Sequence, residues 1–456
     1  MAYTSLRGRK PMERASKISH GNVIANPMVQ AFLDSCTIPR QAEHAVLDSM
    51  LVDVPDLTQQ HIRAVVAVDG SMRETPVQTQ FPSASVTFFT FGPLLFHLDA
   101  LRELDREPFI APEDLVRLKN IQRYSLVLPT RNVSRNGMSL RDSVRRTLHE
   151  FFVTSHAGDE PLATTLRWVI FREWTHGGEK SWAIERCPNP GCDNSPILLT
   201  PATRNEFPCG RCGQTIYLID VFRLHERIDE EMGAAGISSY VLTLLEQIVL
   251  AHIIRAVWQM KPVMLRELLL IKDGPLAFFG QTAPLSKPFR ELASFLGDQP
   301  DPADNSRRLS LLNVVGLEKS GAFVEHASVM DSHIREGSVL PLTNDYIYRY
   351  IVPGDPNSPD PYGKNTYWGS KLIFKAKDGN TYVATIPTKG GFTPTPRLTD
   401  YLNVTSVLHA VAELRCSMYD NALIPVALAN RLISLSEVPS SRILETFARD
   451  RMKSRD

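Results

Sequence analysis

Two apolar segments of this sequence each end in the dipeptide Asp-Gly, and this feature constrains the fold more than any other. Ala64–Val68 runs into Asp69, and Leu268–Lys272 runs into Asp273. A short, mostly apolar and partly β-branched run predicts a buried strand of a central sheet. A carboxylate at the end of such a strand is costly to bury unless a cation or donor meets it, and the glycine lets a ligand approach closely. We therefore expect the two acids to share a divalent metal, an arrangement suited to cutting phosphodiester bonds.

Composition sets the class of protein. With 456 residues, 43% of them hydrophobic and 22% charged, the chain is expected to be globular, with one large or two to three smaller domains. The formal net charge of zero excludes a body coated in positive charge, but it leaves room for a local basic track on DNA. No apolar run approaches the roughly 18–20 residues of a membrane span, and no apolar stretch follows the basic segment 1–14 as in a secretory signal. We expect a cytoplasmic protein without a membrane partner.

The order of local patterns predicts an α/β fold in which helices pack on a mixed sheet. Strands are expected at 64–68, 84–91, 268–272 and 309–317, with a hairpin at 371–386. Helical periodicity is expected at 28–35, 112–120, 138–153, 161–172, 238–259, 287–296, 405–415 and 425–434. The predicted organisation is an N-terminal arm at 1–43, a main domain at 44–182 and 218–440, an inserted cysteine module at 183–217 and a basic C-terminal tail at 441–456.

Four cysteines have the spacing of a metal site. Cys187 and Cys192 are separated by four residues, and Cys209 and Cys212 by two, with glycines in both turns. Four thiolates close a tetrahedral site with no open position, so the pattern predicts a structural zinc ribbon rather than a catalytic zinc. Such a ribbon contacts DNA or a partner, or it staples an insertion too small to bury its own core, and we favour the staple.

The remaining cysteines fit the same compartment. Cys36 and Cys416 stand apart from the cluster, and each is expected to be a buried free thiol. This usage favours a reducing, cytosolic setting over a disulfide framework.

Two further residues complete the predicted acidic site. Glu246 lies in the apolar segment 241–251, where an ionised carboxylate needs a cation, unless it belongs to a narrow solvent stripe with Gln247. Lys319 follows the strand at 309–317 and is placed to neutralise charge on a phosphate, unless it is an ordinary surface lysine. The predicted catalytic set is therefore Asp69, Glu246, Asp273 and Lys319. Oxygen ligands of the three acids suit Mn²⁺ or Mg²⁺.

Four short motifs in this order resemble the NurA nucleases. They are Ala67–Ser71, Leu270–Leu276, Val314–Lys319 and Ile424–Leu432, and the similarity extends over residues 60–440 with the cysteine module as an insertion. The resemblance implies an RNase H-like fold and a manganese-supported nuclease acting on DNA ends. It also implies a homodimer that docks on a hexameric HerA-type ATPase. The family metal ligands correspond to Asp69 and Asp273, and less directly to Glu246.

The sequence departs from the family pattern at two positions. Asn430 stands where many members have a histidine, and Pro275 stands where a small serine is frequent. An imidazole accepts a proton or binds a metal, whereas an amide only forms hydrogen bonds. His409 and His252 are candidates to take over that role, although a lone histidine among apolar residues is more often a satisfied core group.

Three functions remain open at this stage. The first is a DNA nuclease serving end processing, DNA repair or antiviral defence; the chain has no Gly-x4-Gly-Lys-Ser/Thr loop, so ATP-driven motion must come from a partner. The second is a catalytically silent NurA-like adaptor that recruits an ATPase or DNA, and Asn430 supports it. The third, a generic zinc-ribbon protein that binds nucleic acid, leaves the paired Asp-Gly strand ends unexplained.

Overall fold

The computed structural model describes residues 17–78, 83–98, 123–156, 158–175, 180–415, 423–435 and 440–453. The helix predicted at 112–120, the start of the arm at 1–16 and Cys416 lie outside these ranges.

Most α-helices of the described ranges lie at predicted positions, whereas those at Lys17–Ile24, Ala322–Met330, Asn344–Tyr350 and Ser440–Lys453 have no counterpart among the predicted helices. They are α1 Lys17–Ile24, α2 Pro27–Ser35, α3 His44–Met50, α4 Leu140–Val153, α5 Leu162–Phe171, α6 Ser238–Met260, α7 Ser286–Leu296, α8 Ala322–Met330, α9 Asn344–Tyr350, α10 Val404–Glu413, α11 Ile424–Ile433 and α12 Ser440–Lys453. Short 3-10 turns lie at Leu218–Phe222, Leu224–Arg227, Ala235–Ile237, Pro262–Glu267, Gly280–Leu285, Asp331–His333 and Leu398–Asp400.

The strands of the described ranges form one large sheet and three small ones. They are β1 Val52–Asp53, β2 Ala64–Pro76, β3 Ser85–His97, β4 Tyr124–Arg131, β5 Trp182–Ile184, β6 Ile197–Leu199, β7 Glu206–Pro208, β8 Thr215–Tyr217, β9 Leu268–Asp273, β10 Gln299–Asp301, β11 Asp304–Leu309, β12 Val314–Glu318, β13 Ser338–Pro341, β14 Ser370–Lys375 and β15 Thr381–Ile386.

The central sheet of the described residues has nine strands in the order β1-β13-β14-β15-β12-β9-β2-β3-β4. At its centre β9 pairs in parallel with β2 on one side and with β12 on the other, whereas the other neighbours are antiparallel. The register puts Val68 beside Lys272 and Leu317 beside Asp273. Because parallel strands run the same way, Asp69, Asp273 and the Lys319 that follows β12 reach the same level of the sheet. The strand end expected at Asp69 is wrong, because β2 continues through Gly70 to Pro76 in its antiparallel pairing with β3.

Helices cover both faces of this sheet. Successive strand residues point to opposite faces, so Val66, Val68 and Leu270 pack with α4, α5, α6 and α7. Val65 and Ala67 pack on the other side with α10 and α11. The mixed α/β class with helices flanking a mixed sheet is therefore confirmed, and the RNase H-like classification stays a prediction.

Helix α6 is the long apolar helix expected after the cysteine module. Together with the preceding turn it spans Ala235–Met260 and, by length and composition, is apolar enough to cross a membrane. In the structure it packs against β2 and β3, and 61% of its most apolar window is buried inside the protein. The core helix of a soluble protein passes the same test, because a central helix also needs an almost entirely apolar surface.

The strand predicted at 309–317 begins later than expected. Residues 310–313 leave the ladder, and the Leu311 N–H donates to the Leu296 carbonyl at the end of α7 instead. The Asn313 amide then donates to the carbonyls of Arg266 and Leu268 at 2.9 and 3.1 Å. The apolar run at 309–317 is therefore not one continuous strand, because Leu311 and its neighbours are buried by helix α7 rather than by the sheet.

Two terminal segments also differ from expectation. Cys36 is exposed rather than buried, because it follows α2, a helix with no buried residue. The segment predicted as a basic tail forms α12, in which Leu444 and Ala448 pack with Val77 and Val86.

The cysteine module consists of two small hairpins. Cys187 and Cys192 lie between the paired strands β5 and β6, and Cys209 and Cys212 lie between β7 and β8. The apolar residues of the module do not form a separate core. Ile184, Ile197, Leu199 and Ile216 join the main core that also contains α4 and α5.

Arg145 of α4 ties the module to the body. Its guanidinium donates to both carboxylate oxygens of Asp220, at 2.8 and 2.7 Å, and both side chains are almost entirely buried. It also donates to the Asn189 side chain at 3.2 Å and to the Thr215 carbonyl at 3.1 Å. One buried side chain therefore joins both cysteine hairpins and the segment that follows them.

We expect Arg145→Ala to lower the free energy of unfolding by about 3–5 kcal/mol, because it leaves the buried Asp220 carboxylate unpaired. Arg146→Ala is the matched control on the same helix: its side chain is 52% exposed, so its pair with Glu150 contributes about 0.5 kcal/mol or less. Urea denaturation measures both values. Equal losses in the two variants would contradict the role of Arg145.

Candidate active site

The two predicted acids lie at the same level of adjacent parallel strands. Asp69 follows Val68 within β2, and Asp273 ends β9, directly after the residue that pairs with Val68. Asp69 is only 4% exposed. Its Oδ1 accepts the Gly70 N–H at 2.8 Å, so one oxygen of this buried carboxylate is already held by the backbone of β2.

Glycine is required after each acid for a different reason. Gly274 has a φ of +86°, a conformation that other residues rarely adopt. Gly70 leaves space, since a Cβ there would lie 2.6 Å from Leu242 Cδ1 and 3.1 Å from Glu246 Oε1. The Glu246 carboxylate of helix α6 thus lies close to Gly70 of β2. This approach is possible because residue 70 has no side chain.

Lys319 reaches the acids from the third parallel strand. Its Nζ donates to Asp273 Oδ2 at 2.9 Å, and the two side chains are about one third and one fifth exposed. The register explains this contact, because Asp273 pairs with Leu317, two residues before Lys319. The lysine lies at the solvent side of the site.

Asn430 of α11 bridges Asp69 and Lys319. The surrounding donors and acceptors orient its amide so that Nδ2 donates to Asp69 Oδ2 at 2.8 Å and its oxygen accepts from Lys319 Nζ at 2.7 Å. It thus occupies the centre of the polar network on the α11 side of the sheet. An amide in this place fixes the geometry but takes up no proton.

Glu246 has a different partner. Its Oε2 forms an ion pair with Lys272 Nζ at 2.8 Å, and both side chains are buried. Lys272 Nζ also donates to the Asp273 main-chain carbonyl at 2.5 Å. Because residues alternate along β9, Lys272 faces α6, whereas Asp273 and Asp69 face α11.

Carboxylates outnumber cations in the site. Burial raises the pKa of Asp69 to about 7, and the charges of Asp273 and Glu246 add to this, whereas the Gly70 N–H and Lys319 oppose it. Burial also raises the pKa of Glu246, against the effect of Lys272. The three acids and two lysines leave one net negative charge when all are ionised. Asp69 therefore lacks a full counter-ion at neutral pH.

The donor set suits a hard divalent cation on the α11 side. Asp69 and Asp273 offer carboxylate oxygens at the same level of adjacent strands, and oxygen donors are those that Mg²⁺ and Mn²⁺ prefer. Glu246 has its carboxylate against a lysine instead. Among the described residues, the three acids do not form a cluster whose ligand atoms all lie within 4.8 Å of one another.

The four cysteines of the described module do form such a cluster. All four sulfur atoms lie within 4.8 Å of one another, with Cys187 and Cys212 at 4.0 Å and Cys192 and Cys209 at 3.8 Å. The backbone N–H groups of Cys212 and Arg211 and the Asn194 side chain lower the pKa of Cys209 to about 6. Donors aimed at sulfur favour a thiolate, which is the form that binds metal.

Ser71 and the two candidate histidines form hydrogen bonds away from the acids. Ser71 Oγ accepts the Leu435 N–H at 3.0 Å, which anchors the segment after α11 rather than a ligand. His409 Nε2 contacts the Pro55 carbonyl at 3.1 Å, and His252 Nδ1 contacts Thr165 Oγ1 at 2.8 Å. The structure therefore gives each of these histidines a partner of its own, away from the acids.

Lys272 is a residue of the site that the sequence-based prediction omits. Its position could have been noticed, because it is a charged residue inside an otherwise apolar strand, one position before Asp273. The alternation of β9 then predicts that this lysine points away from Asp273, but no local pattern shows that Glu246 lies opposite.

The fold and the site define a mixed α/β protein with an acidic site across three parallel central strands. No protein-family model matches the sequence, and no curated protein matches it. Among solved structures, the chain is similar to the NurA nuclease from Sulfolobus solfataricus, with 9% identity, a TM-score of 0.36 and coverage of 97% of this chain and 98% of that one. It is also similar to a second structure of NurA, with 9% identity, a TM-score of 0.31 and coverage of 97% and 99%. The functional argument rests on the side chains of the site.

The raised pKa of Asp69 predicts a pH-dependent stability. The folded state holds a proton that the unfolded chain releases near pH 4, so this stabilisation is full below pH 4 and is lost as the pH rises through about 7. We expect Asp69→Asn to remove this loss, which amounts to about 4 kcal/mol between pH 4 and pH 8. Urea titrations without added Mn²⁺ or Mg²⁺ measure it. Asp56→Asn, at a 92% exposed side chain, should keep the wild-type profile.

The cysteine cluster predicts one tightly bound metal ion per chain. We expect Cys187→Ser/Cys212→Ser to lose that ion and several kcal/mol of stability, because the binding free energy of a structural metal contributes to folding. Cys36→Ser, outside the cluster, should change neither the metal content nor the free energy of unfolding. Elemental analysis and urea denaturation provide the measurements. If the double variant stays folded but no longer binds DNA, the module is a DNA contact and not a staple.

Proposed function

We propose that this protein is a metal-dependent nuclease that hydrolyses phosphodiester bonds of DNA. The observation that carries the proposal is the position of the Asp69 and Asp273 carboxylates at the same level of adjacent parallel strands, with one of them lacking a full counter-ion. Buried like charges of this kind are costly to a fold, and they cluster at functional sites.

In this proposal Asp69 and Asp273 hold a divalent cation, Mn²⁺ or Mg²⁺. When bound, such an ion activates water and stabilises negative charge on a phosphate. The Oδ2 side of Asp69 faces the α11 network and accepts from Asn430, whereas Oδ1 accepts the Gly70 N–H. The raised pKa of Asp69 means that its proton must leave before the carboxylate acts as a ligand, which favours activity at neutral to alkaline pH.

Lys319 and Asn430 act on the substrate side of the acids. Lys319 is partly exposed and carries a positive charge next to Asp273, so it is suited to hold a phosphate oxygen and to stabilise developing negative charge. Asn430 fixes the separation of Lys319 and Asp69 through its two hydrogen bonds. It orients the network and leaves proton transfer to other groups.

The choice of DNA and of partners follows from the four motifs that resemble the NurA nucleases. We infer a homodimer that works with a hexameric HerA-type DNA translocase, in DNA end processing or anti-phage defence. The absence of a P-loop from the sequence agrees with a motor on another chain.

We further infer that the cysteine cluster binds Zn²⁺ in a structural role. A tetrahedron with Zn–S bonds of about 2.3 Å has edges of about 3.8 Å. The separations of 4.0 and 3.8 Å between sulfur pairs fit that geometry. The fusion of the module with the main core supports a staple, and reduced cysteines agree with a cytoplasmic location.

A second candidate function is a catalytically silent adaptor that recruits an ATPase or DNA. The specific observation in its favour is that lysines already contact two of the acids, Lys272 at Glu246 and Lys319 at Asp273. The second observation in favour of the adaptor is that position 430 carries an amide instead of an imidazole. The unneutralised, buried Asp69 favours the nuclease, because an adaptor gains nothing from that charge.

We expect the wild-type protein to cleave linear DNA with Mn²⁺ or Mg²⁺ and not with EDTA, and Asp69→Ala or Asp273→Ala to lose roughly 100-fold or more of that activity, because each removes a metal ligand. Asp378→Ala is the matched control. It also removes an acid from an Asp-Gly dipeptide, but from the hairpin turn between β14 and β15, where it bonds the Asn380 N–H. Its activity should equal that of the wild type.

Cleavage of duplex and single-stranded substrates is followed on gels, with and without a cognate ATPase. A wild-type protein that is inert in every combination favours the adaptor. Undiminished cleavage by folded Asp69→Ala would remove the acidic site from the reaction.

A further inference from the structure

Lys272 is an unusual residue for the centre of a sheet. It lies in β9 between apolar neighbours, and its side chain is 3% exposed. A lysine almost never occupies such a position unless its ammonium group is fully paired. Here Nζ is paired twice, with Glu246 Oε2 at 2.8 Å and with the Asp273 carbonyl at 2.5 Å.

We propose that Lys272 is a built-in counter-ion that keeps Glu246 out of metal coordination, so that the site holds a single divalent ion between Asp69 and Asp273. The inference rests on the proposed function, since it concerns the metal of that same site. It makes Glu246 a positioning residue, which fixes Lys272 and the end of β9, rather than a third metal ligand.

The geometry of the site is the first support for this assignment. Glu246 approaches from the α6 side, past Gly70, whereas Asp69 and Asp273 face α11. The ammonium group of Lys272 lies at ion-pair distance from the Glu246 carboxylate. It therefore takes the position that a metal ion bound to Glu246 would need. The three acids accordingly form no close ligand cluster in the described structure, unlike the four cysteines.

The charge balance supports it second. With Lys272 and Lys319 present, the five ionised side chains carry one net negative charge. One divalent ion brings the group to one positive charge, and two ions would bring it to three, in a largely buried setting. Coulomb repulsion at short range and low effective dielectric opposes the second ion. Lys272 therefore supplies the positive charge that a second cation would bring.

The test counts Mn²⁺ ions on the full-length protein by electron paramagnetic resonance, with the cysteine cluster saturated with Zn²⁺, which gives no signal. We expect one Mn²⁺ per wild-type chain. Lys272→Met frees the Glu246 carboxylate, so it should either bind Mn²⁺ about tenfold or more tightly or take up a second ion. Two ions on the wild type, or no change in Lys272→Met, would overturn the inference.

The decisive variant is Lys272→Met/Glu246→Gln. It removes one charge of each sign, so the net charge of the site is that of the wild type, and neutral replacements of a buried ion pair usually fold. We expect it to bind one Mn²⁺ with wild-type affinity and the wild-type spectrum. A loss of about tenfold or more in affinity would mean that Glu246 is a metal ligand, and the inference would be wrong.

Two controls separate this inference from the function on which it rests. Lys371→Met breaks another buried lysine–glutamate pair, that of Lys371 on β14 with Glu318, and should leave Mn²⁺ binding unchanged. Asp69→Asn/Asp273→Asn should abolish Mn²⁺ binding. If that variant binds Mn²⁺ like the wild type, the proposed function fails; if it does not, while the wild type binds two ions, only the role of Lys272 fails. Thermal melting confirms that each variant is folded.

Discussion

The parallel pairing of β2, β9 and β12 is the constraint on which the whole site depends. Hydrogen bonding in register sets Val68 beside Lys272 and Asp273 beside Leu317. Three chain segments that are far apart in sequence therefore carry polar side chains at one level of the sheet, where these side chains meet. A shift of one residue in β9 would exchange the faces of Lys272 and Asp273, because side chains alternate along a strand. The buried hydrophobic layers on both faces fix that register.

Alternation also divides the charges between the two faces. Asp69 and Asp273 lie with Asn430 and Lys319 on one side, and Glu246 lies with Lys272 on the other. The first group reaches solvent at Lys319 and Asp273 and retains an uncompensated carboxylate. The second group is buried and internally paired, and it attaches α6 to the sheet. Under the proposed function, only the first group binds a cation from solution.

The cysteine module shows how a small insertion gains stability from its host. Its hairpins contribute apolar residues to the main core instead of building their own. Arg145 then links the Asn189 side chain, which donates to the sulfur atoms of Cys187 and Cys212, to the buried Asp220. Cysteine cluster, ion pair and core therefore form one connected structure, so that a loss at any of them is expected to loosen the module.

The sequence by itself determined the end of β9 at Asp273, the cysteine spacing and most helices, because each of these is encoded in local periodicity or in a short motif. It ended β2 at Asp69, although the strand continues to Pro76, and it overextended the strand at 309–317, since burial by a neighbouring helix looks like burial in a sheet. The pairing of Lys272 with Glu246 and the bridge made by Asn430 were decided only by the tertiary structure. Each depends on the register of a strand against a helix that is distant in sequence, and no local pattern carries that information.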